Sequence, residues 1–142
     1  MVKAVMLDAG PLGRIAHPRP NARISSWLLH LLDSGRLVFV PEIADYEVRR
    51  NLLLEGLSES ITRLGEIKSV LSYVPLNTEA ILIAAKFWAQ ARRRGVPTAD
   101  PKELDGDVIL AAQALQTKSV VATENVGHLS LFVEAKDWKE IA

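Results

Sequence analysis

The chain contains no cysteine. That absence removes disulfides, thiolate zinc sites and cysteine nucleophiles together, and it fits a reducing compartment, so the expected location is the cytoplasm. Long hydrophobic runs are missing too. The richest apolar segment, Ala80 to Ala91, is broken by Lys86 and Gln90, well short of the ~20 residues that a membrane span needs. Met1 to Leu7 is too short for a signal peptide and runs straight into Asp8. Nor is there an excess of either charge: 17 lysines and arginines face 17 aspartates and glutamates, for a formal net charge of zero. A generic nucleic-acid clamp is basic overall. A balanced chain that binds nucleic acid relies on local patches and bound metal, not on a global field. With no repeat, low-complexity tract or linker, the 142 residues read as one domain, 1–142.

What is present is ordinary globular composition, 49% apolar and 24% charged. A chain of this length buries roughly two-thirds of its unfolded surface and needs no staples. Val2 to Leu7 reads as a buried strand ended by Asp8, Gly10 and Pro11. A helix follows at Arg23 to Leu32 and a second strand at Leu37 to Val40. Pro41 then opens a long helix to about Leu57, followed by another from Ser58 to Ile67. Val70 to Val74 is a third strand, and Thr78 to Arg94 a helix stopped by Gly95. Gly95 to Leu104, with its two prolines, is expected to be loop. Asp105 to Gln116 is a helix apolar on nearly every side and therefore central. Strands at Ser119 to Ala122 and near Val133 to Lys136 complete the order. Such alternation predicts a parallel sheet of four to five strands covered on both faces, with ligands at the strands' carboxyl ends.

Acidic residues collect where that rule points. Asp8 directly follows the first strand, where a carboxylate is expensive to desolvate without a partner; a turn or helix cap is the plainer role for it. Glu47 lies too deep in its helix to be explained by the helix dipole, on the rim of an expected stripe of Ile43, Tyr46, Leu53, Leu54 and Leu57. Asp105 and Asp107 open the central helix, and two acids are more than a cap requires. Asp107 shares a side with Ala111 and Ala114 and is the better ligand; Asp105 points away and suits a cap or auxiliary acid. Thr123, Glu124 and Asn125 follow the fourth strand and offer hydroxyl, carboxylate and amide oxygens, or simply a turn. Several carboxylates in one pocket repel and have raised pKa values unless a cation joins them. Oxygen-only ligands suit Mg²⁺ or Mn²⁺, and such a centre serves hydrolysis of phosphodiesters.

Other residues have plainer readings beside sharper ones. Arg92, Arg93 and Arg94 end a helix, where cations favour the dipole, and are candidates for contacts to substrate phosphates. Trp88 at helical spacing is expected in the core, and His128 on the surface. Receiver-type phosphorelay domains are disfavoured, since they need paired acids after strand one and an aspartate after strand three, where this chain has Val74-Pro75-Leu76-Asn77. Haloacid-dehalogenase-like phosphatases need a second aspartate where Gly10 stands.

Met6-Leu7-Asp8, the helix carrying Glu47, Asp107-Val108-Ile109-Leu110-Ala111-Ala112 and Val120-Val121-Ala122-Thr123-Glu124-Asn125 together resemble the PIN-domain family, including the VapC-type toxin ribonucleases, over nearly the whole chain. The resemblance implies a three-layer α/β/α sandwich and a metal-dependent endoribonuclease. It implies metal-ligand roles for Asp8, Glu47 and Asp107, an active-site role for Asn125 and an orienting hydroxyl at Thr123. It also implies RNA as substrate, dimerisation in many members and, for the toxins, inhibition by an antitoxin. Two departures stand out. Ala9 and Gly10 replace a hydroxyl residue and an asparagine or serine, and Asn125 is neutral where many members carry aspartate. Those departures favour the rival reading, a non-catalytic module of the same fold that binds RNA or protein.

Overall fold

The computed structural model describes residues 2–95 and 101–142. Its elements in chain order are β1 (Val5–Leu7), α1 (Ala9–Ala16), α2 (Ala22–Asp33), β2 (Val38–Pro41), α3 (Glu42–Glu55), α4 (Ser58–Val70) and β3 (Ser72–Val74). After these come α5 (Thr78–Arg93), α6 (Pro101–Thr117), β4 (Val120–Thr123), α7 (Val126–Leu129), β5 (Ala135–Asp137) and a closing 3₁₀ turn, Trp138–Glu140. The five strands form one sheet in the order β3-β2-β1-β4-β5, and every pairing is parallel. The expected sandwich is therefore the observed fold.

Alternation along the strands divides the core. Val5 and Leu7 of β1, with Val38, Val40, Val120 and Ala122, pack against α1 to α4. Met6 and Val121 point to the other face and meet Leu110 and Ala114 of α6 and Leu129 of α7. Outside α6 lies α5, joined to it by alanines: Ala80, Ala84 and Ala91 against Leu104, Val108 and Ala112. Small side chains let those helices approach closely, so α6 is enclosed between α5 and the sheet.

Three sequence expectations need correction. α6 begins at Pro101, so Pro101 to Leu104 are helical and not loop; 96–100 lie outside the described residues. A proline suits the first helical position because no N–H is needed there. Asp105 and Asp107 therefore lie beyond the first turn, and neither caps the helix. The stripe assigned to α3 is also wrong. Tyr46, Leu53, Leu54 and Leu57 are exposed, and the helix buries Ile43, Ala44, Asp45 and Val48. Asp45 is tolerated inside because Arg49 and Lys68 reach it at 2.9 and 3.3 Å and the Tyr73 hydroxyl at 3.4 Å. Trp88, expected in the core, is exposed and carries the Arg92 guanidinium over its ring at 5.4 Å.

Gln113 is another polar group placed deep inside, fully buried in α6. Its amide donates to the Val74 carbonyl at 2.8 Å and its oxygen accepts from the Ile43 N–H at 3.4 Å. One side chain thus ties α6 to the end of β3 and the first turn of α3. Gln113→Ala should lower stability by about 2–4 kcal/mol, through the cavity and two stranded backbone groups. Urea unfolding with an unchanged slope is the measurement, and a loss below about 0.5 kcal/mol would show the tie to be dispensable.

Candidate metal centre

The chain runs outward from β1 through β2 to β3 and then crosses to the other side of β1 for β4 and β5, so the crevice between the ends of β1 and β4 is the switch point of the sheet. Register places Leu7 beside Ala122, hence Asp8 beside Thr123. The Asp8 N–H extends the ladder by one bond, to the Ala122 carbonyl at 3.0 Å. Both carboxylate oxygens are used: one accepts from the Ala9 N–H at 2.8 Å and caps α1, the other accepts from the Thr123 hydroxyl at 2.7 Å. Burial pushes the Asp8 pKa up, the bonds from Thr123 and Ala9 pull it down, and the Glu124 charge adds a further upward push.

Glu47 reaches the same crevice from the second turn of α3. Its carboxylate lies against the backbone of α6 at Gly106, where a Cβ would stand 2.8 Å from Oε2. Burial, then the charge of Asp8, and after the opposing Arg50 the charge of Asp107, raise its pKa from 4.5 to about 7. The orientation of α3 that delivers Glu47 is fixed at its first turn. Glu42 accepts from the Leu76 N–H at 2.8 Å and the Tyr73 hydroxyl at 3.1 Å, beside the Asp45 cluster.

Asp107, half-buried, stands 3.9 Å from Nδ1 of His128. The Asn125 amide donates to that same nitrogen at 3.0 Å, and the Asn125 N–H donates to the Thr123 hydroxyl oxygen at 2.8 Å. Thr123, Asn125, His128 and Asp107 are thus neighbours in one chain of contacts that begins at Asp8. Two participants were not legible as such. His128 was expected on the surface, although its place one helical turn after Asn125 is a signal. Gly106 sits inside a helix, where glycine costs about 1 kcal/mol against alanine; such a residue marks a close approach.

The remaining candidates make other contacts. Asp105 is exposed and lines a groove between α5 and α6 with Trp88 and Ile81. Arg92, Arg93 and Arg94 close α5, Arg92 over Trp88; among the described residues no hydrogen bond or ion pair joins the three to the carboxylates. Glu124 pairs with Arg14, through Nε to Oε1 and Nη2 to Oε2.

Among the described residues, no group of three or more aspartate, glutamate or histidine side chains is placed to hold a metal ion. By its chemistry, however, the donor set fits a hard divalent cation. The charges of Asp8 and Asp107 both raise the proton affinity of Glu47, and a cation among them would turn that repulsion into attraction. Gly106 leaves the cradle in which the Glu47 carboxylate rests.

The PIN domain family model matches residues 5–130. Among solved structures, FitAcB from Neisseria gonorrhoeae is similar over 96% of this chain and 99% of its own, at 23% identity and a TM-score of 0.73. VapBC2 from Rickettsia felis, bound to a DNA fragment from their promoter, is similar over 95% and 98%, at 13% identity and a TM-score of 0.76. VapBC-1 from nontypeable Haemophilus influenzae is similar over 96% and 99%, at 17% identity and a TM-score of 0.72. No curated protein matches the chain. At these identities the likeness is one of fold.

Two measurements test the geometry. Gly106→Ala drives a methyl group into the Glu47 carboxylate and should weaken Mn²⁺ binding, read by calorimetry, by about tenfold or more with little change in unfolding midpoint. The proton on Glu47 is held more tightly in the folded chain than in the unfolded one. Its stabilising contribution is therefore complete below about pH 4.5 and lost as pH rises to about 7. Urea unfolding of metal-free protein across that window should show the decline in the parent and a flatter profile in Glu47→Gln; identical profiles would contradict the assignment.

Proposed function

We propose that this chain, which belongs to the PIN domain family, is a metal-dependent endoribonuclease, a single domain over 1–142 with its centre at Asp8, Glu47 and Asp107. One observation carries the reading: the Glu47 carboxylate lies against Gly106 of α6, one residue from Asp107, and close enough to Asp8, which Thr123 holds at the end of β1, for the charges of Asp8 and Asp107 to raise its pKa. Mg²⁺ or Mn²⁺ held by these oxygens supplies Lewis acidity and a lowered pKa for water at a phosphodiester.

The chain's own residues do the rest. Thr123 fixes the carboxylate plane of Asp8 through its hydroxyl, while the Ala9 N–H holds the other oxygen. Asn125 and His128, in contact with each other beside Asp107, form the polar wall on the β4 side of the crevice. Asn125 is the fourth catalytic position in this reading, and Thr123 an auxiliary one. Glu47, its pKa raised to about 7 by burial and the charges around it, would be one of the carboxylates that hold the cation. Asp105 and Glu124, next to Asp107 and Thr123 in sequence, are auxiliary acids in this reading, and Arg92 to Arg94 at the end of α5 are substrate contacts.

As partners we propose RNA as substrate and an antitoxin, with a second copy of the chain as a further one, and the cytoplasm as location. The support is the likeness to FitAcB and to two VapBC structures. Among the described residues no helix is long and apolar enough to cross a membrane. The second reading, a non-catalytic RNA- or protein-binding module, is favoured by Ala9 and Gly10, which bring no polar side chain to the start of α1.

Structured RNAs incubated with Mg²⁺, Mn²⁺ or chelator should be cut only with metal. Asp8→Asn and Asp107→Asn should abolish that cleavage with the fold intact, because asparagine still caps α1 as well as aspartate does. Variants that cut as fast as the parent would refute the site. Thr123→Val should lose about 10–100-fold in activity or Mn²⁺ affinity, and an absence of saturable Mn²⁺ binding in the parent would favour the non-catalytic module.

A further inference from the structure

Beside the carboxylates lies a feature of opposite charge that the metal centre does not use. α1 carries Gly10, Gly13 and Arg14 at i, i+3 and i+4, hence on one face, and His17 follows as its C-cap. With Arg19 and Glu124 they line an open pocket of about 620 Å³, within the size range of ligand sites. His17 and Arg19 also border the adjoining pocket at the start of α4, with Ser58 and Glu59. A trough therefore runs from the edge of the crevice, past the end of α1, to α4.

Its floor is bare by composition. A Cβ at Gly10 would meet no atom within 4 Å, and one at Gly13 only a Val48 methyl at 3.9 Å. Two glycines weaken an eight-residue helix without any packing demand for them. What they provide is close access to the backbone of α1.

Arg14 supplies the recognition element. Its guanidinium grips both oxygens of Glu124, Nη2 to Oε2 at 2.8 Å and Nε to Oε1, in the parallel geometry that an arginine also presents to a phosphate. The side chains are 53% and 34% exposed, so the pair contributes little to stability and exchanges readily. It also stands next to the centre. Glu124 follows Thr123, which bonds Asp8, and its charge is felt at Asp8.

We propose that this trough is a backbone-phosphate subsite for a single-stranded polynucleotide, in which Arg14 binds a phosphate and Glu124 is an internal anion that the phosphate displaces. The inference deepens the nuclease reading and rests on it for the identity of the ligand. Arg14 is held extended toward the crevice by Glu124 in the free protein. When a phosphate takes its place, Glu124 is released to its other neighbours, Trp138 and Lys139. His17 and Arg19 then lie along the next stretch of the strand.

The two partners should thus act with opposite sign, which a purely structural clamp between α1 and the end of β4 would not produce. The probe is a short, fluorescently labelled single-stranded RNA, titrated by anisotropy in chelator over a salt series, where cleavage does not contribute. Arg14→Gln should weaken binding about tenfold and flatten the salt dependence by roughly one phosphate contact. Glu124→Gln should tighten binding several-fold, and the double variant should bind like Arg14→Gln. Thermal melting of each variant reports on the fold separately. No measurable binding by the parent, an unchanged salt slope in Arg14→Gln, or weakening in Glu124→Gln would each overturn the proposal. Cleavage by the Asp8→Asn and Asp107→Asn variants is read independently, so the subsite and the nuclease assignment fail by different results.

Discussion

The hydrogen bond from Thr123 to Asp8 is the contact on which the rest of the crevice depends. It joins the ends of the two strands that flank the switch point of the sheet. One aspartate caps α1, closes the β1–β4 junction and offers a negative charge at the place where the topology leaves an opening. Its charge then shapes what surrounds it. Glu47 is brought beside it from α3, and Asp107 from α6, so that three repelling groups are held by packing that the backbone provides elsewhere. The Asp45 cluster and Gln113 are part of that packing. They satisfy buried polar groups at the base of α3, the helix that carries Glu47.

Much of this was legible in the chain, because local patterns carry it. Short apolar runs followed by Asp8, Pro41 and Thr123 are strands that end where the sheet ends, and alternation with helices fixes a parallel arrangement. Strand limits were less legible: Val2 to Leu7 reads as one run, yet only Val5–Leu7 pairs. The start of α6 was hidden by two prolines that signal a loop, although Pro101 is at the one helical position that suits it.

Errors concerned contacts between distant segments. Hydrophobic spacing on α3 pointed to Leu53 and Leu54, which the fold leaves in solvent, while the charged Asp45 is inside because Arg49, Lys68 and Tyr73 converge on it. No periodicity contains that information. Glu124 looked like a further acid for the cation, and its bond to Arg14 crosses 110 positions of sequence. His128 gained its neighbours only when α7 was set against α6. Gly106 became an anomaly in propensity only once the helix was seen to start at Pro101, and the Glu47 carboxylate that lies against it is on another helix.

The three central carboxylates come from both sides of the sheet. Asp8 lies in the sheet plane, Glu47 comes from the layer of α1 to α4, and Asp107 from the layer of α6 and α7. A cation seated among them would act as a rivet through the sandwich, tightening with the last docking event and adding its binding energy to the folded state alone. A half-assembled chain emerging from a ribosome has no such centre at all.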